Sequence, residues 1–201
     1  SSAEKRVLKG YWGKLFEKYV YDLIMSVYKD ESRIISEIEN SRRETHGVDI
    51  VIQYPDTLVT IEVTTKKIPY NVWIEADPIQ TKKHIHDLLV SGQRRGKATQ
   101  LHDLWLKVKS NKARIDGVSN KDIKRIVPII VFEDVLPVHQ GLWPIYEEVL
   151  KEAGFEKEFI DNLIFWSIRD LETALGLVES GKSLTEIIDN MSKAAYLHDS
   201  V

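Results

Sequence analysis

The sequence predicts an α/β domain: a mixed central β-sheet flanked by helices. Three observations carry that prediction. Two β-rich runs, "GVDIVIQ" and "TLVTIEVT", flank a Pro-Asp turn. A nearly continuous apolar run, "RIVPIIVFEDV" (125–135), reads as a strand covered on both sides. Segments of helical period alternate with these strands, the order expected of a sheet with helices on its faces.

The elements follow in order. Leu8, Tyr11, Leu15, Tyr19, Leu23 and Val27 recur at helical spacing, which predicts an amphipathic helix over 3–28. The stretch "KDESRIISEIENSRRETHG" is polar and mixed, a connector with room for a short strand or a turn of helix. Strands are expected at 48–54 and 57–65, joined at Pro55-Asp56. Asp77-Pro78 has the form of a helix start, an Asp cap with Pro in the first turn, and the helix runs to about Val90 before Gly92. "SGQRRGK" is a basic loop, and Leu101, Leu104, Trp105 and Val108 mark one face of a second helix over 97–110. After the apolar strand, 144–153 reads as helix, 163–168 as a short strand, and Asp170 to Gly181 as helix. "SLTE" (183–186) has the pattern of a capping box opening a terminal helix.

A chain of 201 residues fits one domain, with a core over about 7–134 and a C-terminal extension over 135–201. No apolar run is long enough to span a membrane. The N-terminus lacks the apolar stretch of a secretory signal. The "SSAEKR" start and "LHDSV" end are compatible with a domain cut from a longer chain. There is no cysteine, which excludes disulfides and thiolate metal sites and makes a cytoplasmic location the default expectation. Any bound metal must then take oxygen or imidazole ligands, pointing to magnesium or manganese.

Net charge is −3, but it is unevenly spread. Residues 82–125 hold 12 Lys and Arg against 4 Asp and Glu, while 126–201 hold 5 against 14. A basic middle in an acidic chain has the form of a polyanion-binding face, or of a solvated lysine-rich helical surface. Its candidate contacts are Lys82, Lys83, Arg94, Arg95 and Lys97, with Lys67 just upstream. Trp73, after Tyr70, is the tryptophan best placed for base stacking. His84, His86 and His102 do not have the spacing of an imidazole zinc site.

Asp49 and Glu62 are the chemical focus. A symmetric turn at Pro55-Asp56 pairs positions that add to 111, setting Asp49 opposite Glu62. Directly opposed side chains stand roughly 5 Å apart at Cβ and point the same way. Two carboxylates so placed repel unless a cation lies between them. Leu58, Thr60, Glu62, Thr64 and, with the strand prolonged, Lys66 share one face.

"GVDIVI…VTIEVTTKK" resembles the core of the PD-(D/E)XK nuclease superfamily, the restriction-endonuclease-like fold, and the likeness in element order covers about 7–134. The resemblance implies Asp49 and Glu62 as magnesium or manganese ligands, with Glu17 on the preceding helix as a third acid. It implies Gln100, in "GKATQLHDLW", as a residue holding the site or the nucleic-acid backbone. The motif lysine is absent: Thr64 stands in its place, with Lys66 two residues on. Some members of the superfamily replace this lysine by another polar residue or move it to a neighbouring element. Threonine can orient a water but supplies no positive charge. The expected function is therefore metal-dependent hydrolysis of DNA, with RNA also open, by a chain acting as a homodimer or within a larger complex. A nuclease-like binding or assembly domain without catalysis is the alternative.

Overall fold

A computed structural model describes residues 2–28, 34–36, 47–69, 72, 77–91, 95–113, 115, 119, 121–134 and 143–198. Arg94, Tyr70 and Trp73 lie outside the described residues. Five strands form one sheet in the order β1-β2-β3-β4-β5: Ile34–Ser36, Ile50–Gln53, Thr57–Thr64, Arg125–Phe132 and Ile164–Ser167. The first three make an antiparallel meander, and β4 and β5 add in parallel. The mixed α/β architecture is thus as the sequence predicts.

The hairpin has the expected register. Ile50 pairs with Ile61, Val51 with Thr60 and Ile52 with Val59, so paired positions add to 111. Tyr54 N–H closes the turn on the Thr57 carbonyl at 2.8 Å. The strands are slightly shorter than expected, and β3 ends at Thr64. There the backbone N–H of Lys66 donates to Thr64 Oγ1 at 3.1 Å, a local bond that turns the chain away from the ladder. Lys66 accordingly lies beyond the strand and is exposed, not in line with Glu62.

Strand alternation divides the apolar residues between two layers. Val59, Ile61 and Val63 face α1 (Ser2–Val27), α6 (Ile168–Glu179) and α7 (Leu184–His198), where Phe16, Val20, Ile24, Leu171 and Ile188 cover them. The other face carries Leu58 and Ile130. It is covered by α2 (Pro78–Leu89), α3 (Lys97–Lys109), α4 (Trp143–Glu152) and α5 (Lys157–Asn162), through Ile85, Leu101, Trp105, Val149 and Phe159. The short α5 has no clear periodicity of its own; Phe159 and Ile160 hold it by packing.

Helix starts follow local chemistry. Asp77 caps α2, accepting from Ile79 N–H at 2.9 Å, with Pro78 in the first turn as expected. The reciprocal capping box is Ser167 with Asp170, one helix earlier than the expected "SLTE" box. At 183–186, the Ser183 hydroxyl instead lies 2.7 Å from Thr185 Oγ1.

Candidate functional site

Three elements converge on the α3 side of the sheet. Glu62, on β3, is fully buried. Asp49, one residue before β2, continues the hairpin register opposite it. Asp49 Oδ2 accepts from Val63 N–H at 2.7 Å, which fixes the carboxylate against the strand. Lys97, the first residue of α3, reaches down between them. Its Nζ donates to Glu62 Oε2 at 2.5 Å and to Asp49 Oδ2 at 3.0 Å.

The position of Lys97 is set by the corner between α2 and α3. Gly96 N–H donates to the Val90 carbonyl at 3.1 Å, and Thr99 Oγ1 donates to the same oxygen at 2.8 Å. A Cβ on Gly96 would come within 2.3 Å of the Leu89 carbonyl carbon and oxygen. Only glycine permits this approach, and it places the next residue, Lys97, over the acids.

The electrostatics of Glu62 and Lys97 follow from this contact. Burial first, and then the neighbouring Asp49 carboxylate, push the Glu62 pKa well above the usual carboxylate range; Lys97 offsets this only in part. Burial pulls on Lys97 in the opposite sense, but the two carboxylates outweigh it and hold the ammonium above its ordinary value. With both carboxylates ionised, the two of them and one ammonium leave one surplus negative charge in a poorly solvated place. Glu62 Oε1 is buried with no hydrogen-bond partner, and Thr60 Oγ1, two residues earlier on the same face, is in the same condition. An orphaned carboxylate oxygen beside surplus negative charge fits a hard cation with oxygen ligands.

Not every expected site residue joins this group. Glu17 is half-buried on α1, which packs against the opposite face of the sheet. Among the described residues no set of three or more His, Asp or Glu is gathered for a metal ion. Thr64 is buried on the Glu62 face, its hydroxyl engaged at the strand end. Gln100 is half-buried, its amide 3.4 Å from the Arg95 carbonyl and on none of the acids. The lysine that completes the site is Lys97, expected instead on a nucleic-acid face. No local signal marks it: its contacts with the acids span 35 and 48 residues of chain.

The basic segment is also largely spoken for. Lys82 bridges Glu148 and Glu152 at 2.9 and 2.7 Å, Lys67 meets Asp134 at 3.1 Å, and Arg95 pairs with Asp103. Lys83 is exposed. His102, far from any imidazole cluster, pairs with Glu156 and packs against Phe155 and Phe159. No helix among the described residues is long and apolar enough to cross a membrane. No protein-family model, curated protein or solved structure matches the chain.

Proposed function

We propose that the chain is a metal-dependent nuclease of restriction-endonuclease-like type, hydrolysing phosphodiester bonds of DNA. The observation that carries this reading is the seat of Lys97 Nζ on both Asp49 and Glu62. It supplies from a helix the cation that Thr64 withholds from the strand.

Asp49 and Glu62 would hold a magnesium or manganese ion. When bound, that ion supplies charge to a scissile phosphate and lowers the pKa of water. Lys97 would then give up part of its contact with the acids and direct its ammonium at the attacking water and the developing phosphate charge. Its charge is secure for that work, because both neighbours hold the proton on. Glu62 contributes only when ionised, and its raised pKa sets a floor on the working pH. The buried walls of the site, with Glu62 fully covered, keep these charges strong by excluding bulk water.

The same ion pairs favour a second reading. Lys97 satisfies the acids internally and the basic residues are mostly paired, as in a nuclease-like domain that binds or assembles without cutting. Titration calorimetry with manganese separates the two. The nuclease reading expects binding in wild type and its loss in Asp49→Ala and Glu62→Ala, together with cleavage. Absence of manganese binding in wild type contradicts it.

A further inference from the structure

Over residues 8–19, α1 exposes an apolar stripe that the packing of the described residues leaves uncovered. Leu8 is 69% exposed, Tyr11 67%, Trp12 48%, Leu15 45% and Tyr19 45%. Leu8, Trp12, Leu15 and Tyr19 follow a spacing of four, three and four, the seam of a two-heptad helix pair. The stripe is separate from the face of α1 that carries Phe16, Val20 and Ile24 into the core.

Two features show that the stripe is prepared for contact. Trp12 Nε1 donates to Glu133 Oε1 at 2.9 Å, and the Tyr19 hydroxyl donates to Glu172 Oε1 at 2.6 Å. Both aromatic rings are thus fixed by their polar atoms to their own chain. Their apolar surface can be covered without stranding an N–H or O–H.

We propose that this stripe joins two copies of the chain through an antiparallel α1–α1 contact. The occupant follows from self-complementarity. About a two-fold axis between residues 13 and 14, Leu8 faces Tyr19 of the second copy, and Trp12 faces its Leu15. Trp12 and Tyr19 each then meet a leucine while Tyr11 flanks the seam, and the same patch serves both sides, as a two-fold interface requires. The five side chains leave roughly 600 Å² uncovered per copy, or about 1,200 Å² for the pair, the lower bound for a stable interface. Because α1 lies on the face of the sheet opposite Glu62, this pairing leaves both acid sites open. The inference does not depend on the catalytic reading.

Sedimentation equilibrium over a concentration series tests it. The wild-type chain is expected to approach twice its 23.2 kDa mass, and a Trp12→Glu/Leu15→Glu variant to stay at one. Circular dichroism and manganese binding, unchanged in the variant, show that the fold and acid site survive. Geometry is read separately, since the chain has no cysteine of its own. Mixing Trp12→Cys with Leu15→Cys chains under mild oxidation is expected to give the mixed disulfide in excess over either homodisulfide. A single-chain mass at all concentrations, or homodisulfides in preference to the mixed one, overturns the proposal. The cross-link keeps it testable even where the charged variant fails to fold.

Discussion

At the scale of single residues the site turns on Lys97. It is 18% exposed and lies against a carboxylate that is fully buried, so removing it strands Glu62 rather than only deleting a contact. Lys97→Met is expected to lower stability by about 3 kcal/mol at neutral pH, the cost of breaking a buried pair. Urea denaturation measures it, and Glu62→Gln in the same chain should recover most of the loss, since the stranded charge is then gone. The protonation of Glu62 has a defined sign. Its folded pKa lies above its ordinary value of 4.5, so ionising it costs more in the folded chain than in the unfolded one. The stability associated with this group is full below the ordinary value and is lost as pH rises through the raised one. Glu62→Gln should therefore flatten the decline in stability over that window, seen by denaturation at a series of pH values. Manganese needs the ionised form, so its affinity should run the other way. Binding should strengthen with rising pH through the same raised window, measured by calorimetry, and an affinity already constant from pH 4.5 upward would contradict the buried environment of Glu62.

At the scale of elements, the corner between α2 and α3 does for Lys97 what the strand does for the acids. Gly96 has no room for a Cβ against Leu89, so Gly96→Ala must push α3 away from α2. An overpacking cost of about 2 kcal/mol is expected, with a weakened Lys97 seat read as a raised pH floor for cleavage or reduced cleavage. Thr99→Val, which removes only the bond to the Val90 carbonyl, should cost about 1 kcal/mol in the same denaturation assay. The hairpin was legible because its turn is symmetric and its residues β-branched: the register that adds to 111, and with it the facing of Asp49 and Glu62, follows from the chain alone. Lys97 was not, because its contact joins residues 35 and 48 positions apart and depends on how closely two helices approach at Gly96. Lys66 was misjudged for a local reason: Thr64 Oγ1 takes the Lys66 N–H and ends the strand one residue early. The capping box is expected at "SLTE", whereas Ser167 and Asp170 form it with the shorter aspartate in place of glutamate. The six-residue helix α5 carries no period and is held by the packing of Phe159 and Ile160.

At the scale of the whole molecule, charge asymmetry in the sequence does not translate into an equally basic surface. Lys82, Arg95, Lys97, Lys109 and Arg125 are held by acids, as is Lys67 upstream, so at most seven of the twelve Lys and Arg of residues 82–125 are left to meet phosphate. Counterion release then predicts a reduced salt dependence of DNA binding, with a log–log slope no steeper than about −6, where twelve phosphate contacts would give about −11. Fluorescence anisotropy across a salt series reads that slope. The two layers of the domain also separate its tasks: the α3 side holds the acids and Lys97, while the α1 side presents the apolar stripe. The central claim is that Asp49, Glu62 and Lys97 form one hydrolytic centre whose lysine comes from the helix. Plasmid cleavage in manganese, compared among wild type, Lys97→Met and Lys97→Met with Thr64→Lys, tests it most directly. Cleavage by wild type, a loss of a hundredfold or more in Lys97→Met (about 3 kcal/mol of transition-state stabilisation) and partial recovery when lysine is returned on the strand is the predicted result. No cleavage by wild type, or a Lys97→Met chain that cuts as well as wild type, contradicts it.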